Sequence, residues 1–462
     1  MERPSPLEAA QAALDELRRL AQRRVDLDLD IRVTREHVED IRTSRSWRAL
    51  ELYRRARARA GLSGGTVPAL QAALRARRAH RRVADLVRSS PVGVNLSGYL
   101  DTESGMGEAA RASIRALDAA GVPVTLNNVT SRLRAADTTY RDAFVDVNPQ
   151  PFNLVHLNAD NMPAFATRRG RRYFTQRYTI GFWFWELSVF RDEWVPFAGY
   201  VDEVWAATRF VQQSIAAKCP LPVRRMRLPV VLPPLPARGR AHFGIPEGPR
   251  VFLYVFDVSS QAERKNPLGA IHAFRKARLP ASEAVLVLKF GNPEYDRAGV
   301  RRLHEEAAGL NVVMLDGYLD RPDLAALLNT ADCYLSPHRA EGFGLTLLES
   351  MALGKPVIGT AYSGNMDFMT PENSYPLDYT LVTLTRDYGP YMRGAVWADP
   401  DIDHAARLIR EVVASPDVAA ARGARAKRMV AEVYSPAVTG AAMRARLEAV
   451  RSGSREAPEA DA

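Results

Sequence analysis

From residue 91 onward, short apolar runs alternate with stripes of helical period. PVGVNLSGYL is β-rich and ends in glycine, and the segment from Ser104 opens a helix that stops at Gly121. VPVTLNN, FNLVHLNAD (152–160) and YTIGFWFWEL (178–187) read as three further strands, and EVWAATRFVQQSIAAK as strand, turn and helix. A Pro-rich stretch at 229–236 interrupts the pattern, which then restarts. VFLYVFDV (251–258), AVLVLKFG (284–291), NVVMLDGYL, DCYLSPH and KPVIGTAYSG are strands. NPLGAIHAFRKA, RPDLAALLNTA and GFGLTLLESMALG are the helices between them, with 402–433 and 436–451 helical at the end. Strands alternating with helices predict parallel sheets covered on both faces. The chain therefore reads as α/β, with two facing Rossmann-like doubly wound domains, 89–236 and 237–435, and a ligand cleft between them. A C-terminal helix at 436–451 and a polar, disordered tail at 452–462 complete it.

The first 88 residues follow another pattern. Residues 5–41 form a long helix in which Leu7, Ala10, Leu14, Leu17 and Ala21 keep heptad spacing. Arg24 and Asp28 break that seam, and it resumes in a shifted register from Leu27 to Ile41. This suits a short coiled coil and self-association, and equally a solvated single helix. Residues 42–82 hold 12 Arg and one acid, Glu51. Such a basic helical arm fits an anionic membrane surface, or a merely solvated face.

Composition narrows the classes. The 462 residues carry a net charge of +10, of which residues 1–88 supply 20 Arg − 12 acids = +8. Two cysteines exclude a disulfide framework and point to a reducing compartment. No signal-peptide pattern opens the chain and no 18-residue apolar run occurs, so a cytoplasmic protein, peripheral on the inner membrane face, is expected. The arginines lie apart from the aromatics at 182–185, which argues against nucleic acid. Asp26, Asp28 and Asp30 spell a metal-binding triplet but lie on a helix, where i and i+2 diverge, so no metal and no cofactor are expected.

The sharpest chemical pattern is His338-Arg-Ala-Glu341-Gly-Phe-Gly-Leu-Thr-Leu-Leu-Glu349, followed by Gly-Lys-Pro-Val-Ile. It sits where a strand ends and a helix begins. Gly342 and Gly344, flanking Phe343, allow a tight turn that frees N–H groups at the helix start. Glu349 lies two turns after Glu341, on roughly the same face. Two carboxylates on one cleft wall can each accept a pair of vicinal hydroxyls. A second pattern, Glu263-Arg264-Lys265-Asn266-Pro267, follows the strand 251–258 and sets two adjacent cations at a helix start.

The first pattern resembles the E-x7-E signature of the retaining GT-B glycosyltransferases of the family 4 type (glycosyl transferases group 1), over roughly 91–450 and most specifically over 250–370. The resemblance implies the GT-B fold, a nucleotide-sugar donor held mainly by the C-terminal domain, and transfer with retention and no required metal. By motif position, Glu341 meets the donor sugar and Glu349 the ribose. Lys265 is the cation that faces the diphosphate. Arg264 stands in for the Arg that the family places earlier, where this chain has Ser259 and Ser260.

Other positions complete the expected site. Gly105 and Gly107 form a glycine loop that either encloses the diphosphate or merely turns. A nicotinamide fingerprint is disfavoured, because VPVTLNN ends in Asn127 and Asn128 rather than an acid. His156 ends a strand near the expected donor sugar, where a core histidine would also fit. Gly364 and Asn365 approach the diphosphate and sugar, and Tyr318 the base. Trp183, Trp185 and Glu186 line either the acceptor cleft or the core. The expected activity is hexose transfer, with GDP-mannose as a guessed donor, to a glycan or lipid-linked acceptor in surface polysaccharide or glycoconjugate synthesis. The alternative is a non-catalytic sugar-nucleotide-binding or scaffold protein of the same fold.

Overall fold

A computed structural model describes residues 85–131 and 137–454. The expectations for 5–41 and 42–82, and residues 455–462 of the expected tail, lie outside the described residues.

Two six-stranded sheets carry the architecture, in the orders β2-β1-β3-β4-β5-β6 and β12-β11-β10-β7-β8-β9. The first comprises β1 (Val94–Gly98), β2 (Val124–Asn128), β3 (Phe152–His156), β4 (Tyr178–Phe182), β5 (Glu203–Ala206) and β6 (Val223–Arg225). The second comprises β7 (Arg250–Asp257), β8 (Ala284–Gly291), β9 (Val312–Asp316), β10 (Cys333–Ser336), β11 (Val357–Thr360) and β12 (Tyr375–Leu377). Every pairing within them is parallel. Burial explains this: β1, β3 and β10 are buried at every position, as strands covered on both faces by helices must be.

The two sheets differ in what they bury. The C-terminal sheet is largely apolar through β7 and β8, with one buried lysine, Lys289, whose Nζ donates to Phe290 O at 3.1 Å. The N-terminal sheet carries a polar row in register across four strands: Thr125, Asn95, Asn153 and Thr179. Asn95 Nδ2 donates to Asn153 Oδ1 at 3.0 Å, and Asn153 Nδ2 donates to Thr179 Oγ1 at 3.1 Å. The row is satisfied internally, so it adds specificity without orphaned donors.

Strand order reverses between β1 and β3 in one sheet and between β7 and β10 in the other. Ligands bind outside the carboxyl ends of strands at such switch points, and these ends face the interdomain cleft here. The domains are joined by direct contacts. Thr208 Oγ1 donates to Gly342 O at 2.9 Å, and Arg225 pairs with Asp367 at 3.3 Å. The last helix, Pro436–Ser452, returns to the N-terminal domain and packs on the Gly105–Ala119 helix. There Arg446 binds Glu203 of β5.

Several elements depart from the sequence pattern. The 178–187 run leaves the sheet at Phe182, because Trp183 and Trp185 turn into a separate aromatic cluster. The 402–433 stretch breaks at Ser415–Pro416 into Ile402–Ala414 and Pro416–Val433, as the proline lacks the N–H that continuity needs. An antiparallel ribbon, β13 (Tyr379–Thr383) with β14 (Val396–Pro400), has no buried face to mark it in the sequence: all five positions of β13 are exposed or half-exposed. The Arg297–Ala307 helix was likewise unmarked.

Candidate active site

After β7, Asp257 Oδ1 accepts from Ser259 N at 2.8 Å and bends the chain into a one-turn helix, Ala262–Lys265. Asn266 ends that turn at φ +55° and its Nδ2 donates to Pro337 O at 2.9 Å, pinning the turn to the end of β10. Arg264 and Lys265, neighbours that an extended helix would splay apart, therefore both reach Glu341. Lys265 Nζ bonds Glu341 Oε1, and Arg264 Nη1 stands 3.4 Å from Oε2 while donating to Ala340 O at 2.6 Å. Burial alone would raise the Glu341 pKa; the cations of Lys265 and Arg264 outweigh it and hold the carboxyl down at about 2. The carboxylate is thus charged at any working pH, on a wall with two cations.

His338 is buried behind it and held neutral by burial. Asn365 Nδ2 donates to Thr360 O at 2.8 Å, which leaves its Oδ1 to accept from His338 Nε2 at 3.0 Å. By that network Nδ1 of His338 accepts from Ser336 Oγ at 3.0 Å. Asn365 is therefore engaged in holding His338 rather than open to the cleft. Gly344 sits at φ +88° and starts the Leu345–Ala352 helix without a side-chain cap, so first-turn N–H groups are left to the cleft. Gly364 N donates to Glu341 O at 2.8 Å, and a Cβ on Gly364 would lie 2.2 Å from Gly342 O. Only glycine permits that approach. Phe343 is core: its ring meets Phe368 and Tyr434.

Glu349 is only 1% exposed. Arg321 Nη2 stands 2.7 Å from Glu349 Oε1 and 3.5 Å from Glu108 Oε1 of the opposite domain. Glu349 Oε2 has no hydrogen-bond partner among the described residues. Burial pushes Glu349 up against the pull of Arg321. Glu341 lies before the helix, which starts only at Leu345, and Glu349 within it; each meets its own cations, Glu341 those of Lys265 and Arg264 and Glu349 that of Arg321. Nearby, Tyr318 donates to Glu103 Oε1 at 2.8 Å, across the cleft.

The facing wall comes from the N-terminal domain. His156 ends β3, is wholly buried and stacks on Phe182 with centroids 4.6 Å apart. Neither ring nitrogen has a partner among the described residues, and burial pushes its pKa down to about 3. A neutral imidazole with both nitrogens unused, at the switch point, is able to bond a ligand hydroxyl. Ser104 caps the Gly105–Ala119 helix at Gly107 N, and a Cβ on Gly107 would lie 2.2 Å from Thr102 O, so Gly107 serves the turn. Gly105 faces open space. Trp183 and Trp185 are core.

Residues 238–429 match the family model of glycosyl transferases group 1. The match lies over the C-terminal of the two sheet domains. Among similar proteins, the O-antigen biosynthesis glycosyltransferase WclY of Escherichia coli is 47% identical over 58 residues, 13% of this chain and 14% of the relative. The D-inositol 3-phosphate glycosyltransferase of Arthrobacter sp. (strain FB24) is 28% identical over 142 residues, 30% of this chain and 32% of the relative. The matched part thus spans about a third or less of either relative. In fold, the chain is similar to sucrose-phosphate synthase from Thermosynechococcus elongatus, with a TM-score of 0.58 at 15% identity over 79% of this chain and 100% of that one. It is also similar to Anabaena Alr3699/HepE in complex with UDP and glucose, with a TM-score of 0.55 at 12% identity over 78% and 100%. The architecture is GT-B.

Around the matched domain the structure adds residues that the sequence pattern did not single out. Arg321 is one. Tyr391 is another: it leaves the ribbon loop, lies 5.9 Å from Arg264 and donates to Glu186 Oε2 at 2.9 Å. Glu108 is the third. RPDLAALLNTA carried Arg321 in plain view, but nothing local says that its guanidinium reaches another helix and another domain.

Proposed function

We propose that the chain is a retaining glycosyltransferase that moves a hexose from a nucleotide-diphosphate sugar to a glycan or lipid-linked acceptor. The observation that carries this reading is the Lys265–Glu341–Arg264 cluster at the carboxyl ends of β7 and β10. Glu341 holds donor-sugar hydroxyls, while Lys265 and Arg264 face the diphosphate. The acceptor hydroxyl attacks on the face that the diphosphate leaves, through an oxocarbenium-like state, and the departing phosphate oxygen takes its proton. No side chain acts as nucleophile; fixed cations stabilise the charge as it develops, without reorganising. His156 bonds a sugar hydroxyl as a neutral imidazole.

Glu349 receives the ribose once Arg321 turns away, and Gly342, Gly344 and Gly364 bring backbone close to the donor. The O-antigen relative supports transfer into surface polysaccharide or glycoconjugate. The same reading has a cytoplasmic enzyme dock on the inner membrane face through the basic residues 42–82. The structures of Alr3699/HepE contain UDP and UDP-glucose, which supports the nucleotide-sugar class.

The test is a thermal-shift panel of UDP, GDP and their hexose conjugates, followed by NMR of the anomeric product. A nucleoside diphosphate should raise the parental midpoint and fail to raise that of K265A. A product of inverted configuration, or no response to any nucleotide, refutes the reading.

A further inference from the structure

The N-terminal domain contains a cavity of about 770 Å³ that is apart from the Lys265–Glu341 cluster. Arg168, Arg169, Arg172 and Arg177 line it, against a single acid, Asp146. Four guanidinium groups less one carboxylate leave three positive charges. Two of the arginines are fixed by backbone carbonyls. Arg169 Nη2 donates to Asn128 O at 3.3 Å and Nη1 stands 3.2 Å from Asp146. Arg177 donates to Gln150 O at 3.1 Å and to Arg172 O at 3.2 Å. Arg168 and Arg172 make no ion pair among the described residues, and both side chains are exposed.

Position gives the cavity a meaning. Asn128, in its lining, is the register partner of Gly98 on β1, and Gly98 is the partner of His156 on β3. The Asn128 end of the cavity therefore lies two strand spacings, roughly 10 Å, from His156, while Pro149 and Arg177 place its other end at the amino ends of β3 and β4. Resting on the glycosyltransferase reading above, we infer that this cavity binds a phosphoryl group of the acceptor. A single carboxylate would leave two of the three charges uncompensated. A phosphate or diphosphate ester matches them, and guanidinium forks suit its oxygens. A phosphorylated acceptor anchored there presents its hydroxyl toward the cleft from the side opposite the donor's own cations. The shared chemistry has two sources, a membrane lipid headgroup and a soluble or glycan-borne phosphate.

The experiment uses the full chain and inorganic pyrophosphate, followed by calorimetry. K265A removes one of the two donor-site cations, so the difference between K265A and K265A/R168Q/R172Q reports the second site. Pyrophosphate should bind K265A, weaken as salt rises, and weaken at least tenfold more in K265A/R168Q/R172Q. Both changes are at exposed side chains, so the fold should persist, as a retained thermal midpoint would verify. Equal affinity in K265A and the triple variant, or no binding to K265A, overturns the inference. Nucleotide binding by the R168Q/R172Q chain is measured alongside. It should equal the parental value, and its loss in all chains would instead count against the glycosyltransferase reading. Co-sedimentation with phosphatidylglycerol vesicles then separates the sources. A fall in R168Q/R172Q relative to the parent assigns a lipid-borne phosphate, and an unchanged fraction with weakened pyrophosphate assigns a soluble or glycan phosphate.

Discussion

On the C-terminal wall of the cleft, one carboxylate faces two cations: Glu341 with Lys265 and Arg264, all tied to backbone at the ends of β7 and β10. On the N-terminal wall, the corresponding strand end offers His156, uncharged and with both nitrogens unused. Each is buried, yet the chemistry differs. Buried charges stay ionised only when paired, so the C-terminal wall arrives with its field already built. A lone buried imidazole neutralises instead, and contributes hydrogen bonding without charge. The comparison teaches where charge stabilisation resides: in the domain matched by the family model, with the other domain contributing shape and polar contacts. Arg321 is one of the residues that link the two, since it pairs with Glu349 on one side and Glu108 on the other.

Removing that joint should have the largest effect. R321A leaves Glu349 buried without a cation, and the unfolding free energy should fall by about 3–5 kcal/mol. A denaturant midpoint within experimental error of the parent would show that the bridge holds nothing together. The second test is acid. Glu341 has a folded pKa near 2 against an ordinary value of 4.5, so its stabilisation is complete above pH 4.5 and is lost as pH falls toward 2. The parent should lose on the order of 3 kcal/mol through that window, and E341Q should show a shallower acid limb. Parallel limbs in chemical unfolding at several pH values would contradict the paired carboxylate.

Next comes turnover. K265A should lower kcat on the order of 10²-fold, while Arg264 keeps Glu341 paired and the fold intact. Parental turnover would move the charge stabilisation elsewhere. G364A drives a Cβ onto the Gly342 carbonyl and should cost about 1–3 kcal/mol of stability, whereas G105A, which meets nothing, should be silent. Matching thermal midpoints for the two variants would mean that the loop yields. The smallest effect belongs to the N-terminal wall. H156N should reduce kcat about tenfold, since one hydrogen bond to a neutral group is removed, and the pH–rate profile between 5 and 8 should keep its shape. A limb that vanishes in H156N would reveal a titrating histidine instead.

Much of the C-terminal wall was legible because its signals are local. A strand followed by Gly-x-Gly and an apolar helical stripe specifies a turn and a helix start from sequence alone. The direction of Arg264 was not legible, because it depends on Asn266 adopting φ +55° and anchoring to Pro337. Likewise Phe343 looked like part of a binding loop and is packed in the core, because Tyr434 reaches it from a distant helix. Trp183 and Trp185 offered two meanings, and the aromatic cluster around Phe190 decided for the core.

The order of apolar runs and helical stripes determined two parallel sheets and most of their covering helices, since strand and helix periods are local constraints; the strand order and its switch points came from the fold. Only the folded chain decided which charges meet: that Arg321 bridges two domains, that Glu349 is shut in, and that four arginines on neighbouring segments line one cavity. Those pairings join residues far apart in sequence, and electrostatic attraction acts on distance through space, which no spacing along the chain records.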